Sequence, residues 1–439
     1  MSLAQETVSG TGELAPAFPA VRWAQLGLSL IAMMSISSPQ YVWTLFVAPF
    51  QAATGANLPA VQITFSLLIV LQTWLAPLQG WLVDRFGPKF LIAGGAALTG
   101  LGFVLSAQAT TTWTLYLTYG GLCGFGTGIV YIGIIGLMVR WFPDRRGFAV
   151  GLAAAGYGFG AIVTTFPIDA MLKSSGHRPT LVTFGLLLGV IGVCAALGLR
   201  APRTGEIRFT PASLPIATSA INYTPLQMLK TPIFWLMFAM MTMMSTGGLM
   251  VVSQFAPVMR DFGIAEVAIS GMAALPLALT LQRVANGLTR PFFGWISDNI
   301  GREWTMFIAF GMEALAVWLM LSARGNPALF ALLSGVVFFG WGEIFSLFPS
   351  TLTDTYGTKH ATTNFGFLYI AQGVGSVLGG PAAAWMHDAT GSWFPVFWLI
   401  IGLDAATALL ALLVLKPMRA AWHARQPTVS SPVYGGGGA

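Results

Sequence analysis

From about residue 23 to 415 the chain repeats one pattern: a long apolar run, then a short joint of charged residues, Gly, Pro or Asn. The runs are roughly 20 residues long and do not alternate, which predicts membrane-spanning helices; barrel strands would alternate over about 10. Twelve are predicted, near 23–48, 60–83, 90–108, 112–139, 147–171, 179–199, 230–256, 266–297, 303–322, 326–352, 362–387 and 392–415. The polar joint at 201–229 is the longest and divides six runs from six. The expected fold is an all-α membrane protein, twelve transmembrane helices in two six-helix pseudo-repeat bundles. Its parts are a tail (1–21), a bundle (22–200), a linker (201–229), a second bundle (230–416) and a tail (417–439).

Charge sets the orientation. With the N-terminus inside, fifteen of the 21 Lys and Arg fall in inner joints and tails and four in outer joints. The excess of basic residues predicts cytoplasmic tails and linker and, with them, a multi-pass protein of the cell's inner (plasma) membrane. Two arginines remain, Arg283 and Arg290, both inside the eighth run. Charged residues are only 8% of the chain, too few to cover a soluble fold of this size. The net charge of +6 forms no basic stripe interleaved with aromatics, so a nucleic-acid partner is not expected. Cys123 and Cys194 lie in apolar runs, and the four histidines are scattered; no metal or cofactor site is suggested. The first 21 residues lack the order of a cleaved signal peptide, and "SSPVYGGGGA" at the far end has the composition of a disordered tail.

The two halves echo each other. "GWLVDRFGPK" (80–89) returns as "GWISDNIGRE" (294–303), and Gly151 of "RWFPDRRGFAVG" faces Gly366 in the second half. Parallel repeats of this kind are the layout of a rocking transporter, with its substrate site between them near mid-membrane. The doubled loop, the "DRRG" joint and the six-plus-six order resemble the major facilitator superfamily over about residues 22–417. The loop residues are candidate gating groups: Gly80, Asp84, Arg85, Gly294, Asp298 and Arg302, with Asp144, Arg145 and Arg146. Gly80 and Gly294 would let helices approach, while Asp84 and Asp298 would cap or pair across helix ends; simple helix-end packing accounts for much of the same pattern.

Finer motifs narrow the resemblance. "PQYVWTL" (39–45), "GIVYIGI" (128–134), "AAGYGFG" (154–160), "NGLTRPFFGWISD" (286–298), "WGEIFSLFPS" (341–350) and "FLYIAQGVGSVLGG" (367–380) are similar to the oxalate–formate antiporter family, kin of the monocarboxylate transporters. The resemblance implies an eighth-helix arginine that binds substrate carboxylate, here Arg290, in a cage matching Gln40, Tyr41, Tyr131, Tyr157, Trp341, Phe345 and Tyr369. The chain departs from the dicarboxylate exchanger at Gln372, where that protein has a lysine, and at Phe345, where it has a tyrosine. One cation suits one carboxylate, so a monocarboxylate is favoured over oxalate.

Physical chemistry supports the same arginine. A charge at a helix centre costs at least about 2.5–3.5 kcal/mol on insertion scales. A guanidinium fork matches a carboxylate in a bidentate way. The alternative is an arginine snorkelling to the cytoplasmic edge, roughly 12 Å away at eight residues. Arg283, seven residues earlier, falls on nearly the same helix face. It either lines the same cavity, where it could supply a second cation for a dicarboxylate, or pairs with Glu343 or another acid. Asn286 stands one turn before Arg290 and could orient it. Glu343, in the tenth run, is a candidate for proton coupling or a structural partner of Arg283. Glu313 and Asp404 fall in helices expected to be peripheral and receive no role.

These features predict a secondary active transporter of small organic carboxylates working by alternating access, by exchange or with protons, in a lipid bilayer and as a monomer. An oxalate-type antiporter is the alternative within the class. A substrate-sensing receptor on the same fold is the alternative outside it. An enzyme is not expected: no nucleophile with a base, ligand cluster or phosphate loop is present.

Overall fold

The computed structural model describes residues 19–207, 217–219, 221–269 and 271–426. Most of the N-terminal tail, the linker segment 208–216 and the end of the C-terminal tail lie outside the described residues. The protein is almost wholly helical. Among the described residues, nine helices are long and apolar enough to cross a membrane alone, and two bent pairs are so together. Ala274–Ile300, eighth in chain order, completes the twelve. It fails a hydropathy test because Gln282, Arg283, Asn286, Arg290 and Asp298 all lie on it.

The spans are, in order, Val21–Thr54 (bent), Leu58–Phe86 (bent), Pro88–Ser106, Thr112–Trp141, Arg146–Ser175, His177–Leu197, Pro232–Asp261, Ala274–Ile300, Arg302–Ser322, Pro327–Tyr356, Ala361–Thr390 and Phe394–Ala424. They are called spans 1 to 12 below. Spans 1–6 pack among themselves, as do 7–12. Spans 5 and 8, and spans 2 and 11, cross the interface between the two bundles. Large apolar side chains such as Phe90, Trp113, Phe166 and Trp385 are exposed on the perimeter, where lipid replaces water as the solvent of this fold.

Three predicted runs are interrupted, each for a local reason. Span 1 breaks around Ile36–Val42, where Pro39 has no N–H to give. The Pro39 carbonyl is satisfied instead by the Tyr119 hydroxyl at 2.8 Å, and Ser38 pairs with Thr164. Span 2 bends by 48° at Leu75, just before Pro77. Span 10 is interrupted at Gly342 and Glu343. The predicted eighth run begins too early. Residues 268–273 form a small hairpin, Ala268–Ile269 paired with Met272–Ala273, and the helix starts only at Ala274. The turn holds Gly271 at φ +84°, a left-handed conformation that favours glycine.

The start of the linker is fixed by charge. Arg200 donates to both Glu206 oxygens at 2.7 and 2.6 Å, and the Arg203 amide adds a third bond. Those donors push the Glu206 carboxyl down to about 2.

Candidate functional site

Arg290 lies where the two bundles meet. It is 3% exposed, and its Nη1 donates to the Ala154 carbonyl of span 5 at 2.7 Å. Nη2 donates to Asn286 Oδ1, one turn back on its own helix, at 3.0 Å. The guanidinium carbon sits 4.6 Å from the Phe345 ring centroid. A cation held between a carbonyl, an amide and an aromatic face is well placed but not neutralised. The approach depends on Gly151, since any Cβ there would overlap the Arg290 carbonyl.

Around it the aromatic groups interlock across the interface. Tyr131 stacks on Tyr369 at 5.1 Å, meets Phe345 edge-on at 6.4 Å and meets Tyr157 edge-on at 5.7 Å. Tyr157 packs on Tyr41 and donates to Gln40 Oε1 at 2.6 Å. Trp341 touches Phe345, but its N–H is spent on the Met244 carbonyl. Arg290 Nε, the Tyr131 hydroxyl and Gln372 Oε1 are buried and make no hydrogen bond among the described residues. Two of these three can donate, which suits an anion.

Sequence reasoning missed Gln72. It is buried in span 2 and reaches across to the Tyr369 hydroxyl at 3.3 Å. Its signal was a lone amide in the apolar run "LLIVLQTW". Arg283 is exposed and, among the described residues, makes no ion pair with Glu343, whose carboxyl is buried. Glu313 and Asp404, given no role by the sequence, take the inner face of their helices. Both are 0% exposed, and together with Glu343 they face the interior of the second bundle. Helix order does not say which face of a peripheral helix a polar residue takes.

The end of the molecule carrying the repeated loops is closed by two matching clusters. Asp298 accepts from the Gly147 and Phe148 amides at 2.9 and 2.8 Å and from Arg302 at 2.7 Å, so span 8 caps the start of span 5. Asp84 accepts from the Thr363 amide and hydroxyl at 2.8 and 2.7 Å and pairs with Arg140, so span 2 caps the start of span 11. Residues 147 and 148 correspond to 362 and 363 in the sequence repeat. A Cβ on Gly80 would stand 2.6 Å from the Thr362 carbonyl, and one on Gly294 would overlap the Gly147 carbonyl. The buried Asp354 joins the Asp298 cluster, accepting from Arg146 at 2.5 Å and Arg302 at 2.8 Å. Arg140 and Asp354 were not singled out by sequence. Arg85 and Arg145 were, but Arg85 is exposed against Trp81 and Phe86, and the Arg145 side chain makes a long ion pair with Asp144 at 3.7 Å. Asp144 pairs instead with Arg22 at 2.7 Å.

A bundle with an arginine and an aromatic cage on its internal pseudo-twofold, and interlocked helix ends at one face, is the architecture of a secondary transporter. The Major Facilitator Superfamily sequence profile matches residues 28–281 and 258–433, and the chain belongs to that family. It is 35% identical over 365 residues to the oxalate:formate antiporter of Oxalobacter formigenes, covering 83% of this chain and 84% of that one. Monocarboxylate transporter 11 of Homo sapiens is 27% identical over 354 residues, 76% of this chain and 70% of that one. Among solved structures, the proton:xylose symporter XylE superposes with a TM-score of 0.70 at 13% identity, covering 90% of this chain and 96% of that one, a likeness of fold alone. The protein is thus a multi-pass membrane transporter and not an enzyme.

Proposed function

We propose that this protein carries small organic carboxylates across the cell's plasma membrane, by exchange or with protons, and that Arg290 binds the carboxylate. One observation carries the reading: a buried arginine bridges the bundles, surrounded by aromatic rings, with Nε and the neighbouring Tyr131 hydroxyl unspent. Substrate would neutralise Arg290 and let the bundles close; empty closure would bury an uncompensated charge, which disfavours leak.

A monocarboxylate fits better than oxalate. Gln372 is neutral and Arg290 is the cation held among the aromatic rings, so a dianion would keep a surplus charge in a low-dielectric site. The likeness to an oxalate:formate antiporter supports the carboxylate class and keeps oxalate as the competing substrate. The gate reading follows the geometry of the loop clusters: Asp84 with Arg140 and Thr363, and Asp298 with Arg302, Gly147 and Asp354, would hold the cytoplasmic end shut between turnovers. The excess of basic residues in the inner joints supports cytoplasmic termini and linker, and the cage residues named above all come from one copy of the chain, which supports a monomer.

The test is counterflow of labelled formate, lactate and oxalate in proteoliposomes. Arg290→Lys keeps the charge but loses the fork and its two anchors. A charge-assisted bond is worth about 1.5–3 kcal/mol, so KM should rise roughly 10- to 100-fold. Unchanged transport by that variant removes the carboxylate-receptor role.

A further inference from the structure

Three acids stand behind the cage, unused by the site described above. Glu313 of span 9, Glu343 of span 10 and Asp404 of span 12 are each 0% exposed. All three sit within electrostatic reach of one another, and Glu343 is also within reach of Arg290. All six of their carboxyl oxygens are buried and make no hydrogen bond among the described residues. Small residues make the room for them. A Cβ on Gly340 would come within 2.6 Å of the Glu313 Cβ, and one on Gly247 within 3.2 Å of Asp404 Oδ1. Thr289 lies beside Glu343, but its hydroxyl donates to the Phe339 carbonyl, so toward Glu343 it can only accept.

The Glu343 amide is turned toward its own carboxyl but makes no full hydrogen bond with it, and three neighbouring buried acids with so few donors do not all remain ionised. The groups around them supply little help. Span 7 brings no ionisable side chain between Pro232 and Met259, and span 11 brings only Tyr369 between Ala361 and Met386. Spans 4 and 5 present Tyr131 and Tyr157 on this side, and the cation at hand is Arg290. Glu343, at the break in span 10, is the acid of the three that stands within electrostatic reach of Arg290.

We propose that Glu313, Glu343 and Asp404 form a proton-binding site, and that Glu343 exchanges its proton in step with carboxylate at Arg290. This rests on the carboxylate reading of Arg290 and adds a coupling ion to it. With an anion on the arginine, Glu343 finds no free positive charge and holds its proton. When the anion leaves, the bare guanidinium favours the ionised acid, and the proton departs to the same side. One proton and one anion therefore bind and leave together, which is electroneutral symport of a monocarboxylate. The linkage is reciprocal, so proton occupancy strengthens anion binding by the factor by which anion strengthens proton binding.

Two measurements test this on the full protein in lipid vesicles. Infrared difference spectra of the unsubstituted protein and of Glu313→Gln, Glu343→Gln and Asp404→Asn report neutral carboxyls directly, without any substrate. Each substitution should remove a protonated-carboxyl band at neutral pH; no such band for any of the three overturns the site. The second is lactate uptake against protein-free vesicles. An interior alkaline by one pH unit should drive about tenfold accumulation, and Glu343→Gln should reduce it to the level without a gradient while lactate counterflow persists. Accumulation unchanged in Glu343→Gln, or counterflow in the unsubstituted protein that ignores the gradient, overturns the coupling and leaves Arg290 standing. Absence of counterflow for lactate, formate and oxalate alike overturns the Arg290 reading and the coupling with it, while the infrared bands still decide the proton site.

Discussion

At the scale of single residues, the tyrosines of the cage separate into two kinds. Tyr157 spends its hydroxyl on Gln40, and Tyr369 receives Gln72, whereas the Tyr131 hydroxyl is buried without a partner. Tyr131→Phe therefore removes no bond from the described structure and should leave the Tm nearly unchanged, or raise it slightly. If that hydroxyl serves the bound carboxylate, the same substitution should weaken substrate binding by about 1.5–3 kcal/mol, a roughly 10- to 100-fold rise in KM. Tyr157→Phe should behave in the opposite sense, lowering the Tm by about 1 kcal/mol of stability with a smaller effect on KM. Thermal unfolding and counterflow on both variants make the comparison. Equal KM shifts would mean that Tyr131 is a packing residue. Arg290 and Tyr131 were legible in the sequence because a charge or a hydroxyl in an apolar run needs a reason. Glu313 and Asp404 raised the same question without an answer, because one strand of sequence carries no distances between helices.

At the scale of elements, helix crossings depend on a few glycines. Span 8 crosses span 5 at Gly294 and Gly147, each of which lies where a Cβ would overlap the other's carbonyl. Gly27, by contrast, has nothing within 4 Å of its Cβ position. Gly294→Ala should force the helices apart at a cost of about 1–3 kcal/mol and reduce transport strongly, while Gly27→Ala should be neutral or mildly stabilising. Transport and Tm measured on the pair would show whether the crossing or general helix propensity matters. The crossing was readable from the repeated loop motif, since Gly80 and Gly294 occupy matching places. The interruptions were less so. Pro39 and Pro77 are ordinary residues of apolar runs until their lost N–H bonds are counted. The stretch 268–273 reads Ala-Ile-Ser-Gly-Met-Ala, a largely apolar composition that passes for the start of a helix. Asp354 hid for a further reason: its partners Arg146 and Arg302 come from two different joints, and nothing in the chain says that those joints meet.

At the scale of the whole molecule, the two end clusters form a pair related by the repeat. They share no residue: Asp84 works with Arg140 and Thr363, and Asp298 with Arg302, Gly147 and Phe148. If the bundles rock as rigid bodies, both clusters resist one and the same opening. Their contributions should then add in free energy, as they do for sites without common partners. Spin labels on Phe86→Cys and Ile300→Cys, both exposed and at matching positions of the repeated motifs where spans 2 and 8 end, would report the separation at this end; Cys194, also exposed, is first replaced by serine. Asp84→Asn and Asp298→Asn each weaken one cluster, and a loss of about 1.4 kcal/mol apiece would raise the open fraction about tenfold. The double variant should then show about a hundredfold gain over the unsubstituted protein until the open state dominates. Should Asp84→Asn alone open the end as far as the double variant does, the clusters would not act on a common motion, and the rigid rocking that the sequence repeat suggests would have to give way to bending within one bundle, for which the breaks in spans 1, 2 and 10 offer the hinges.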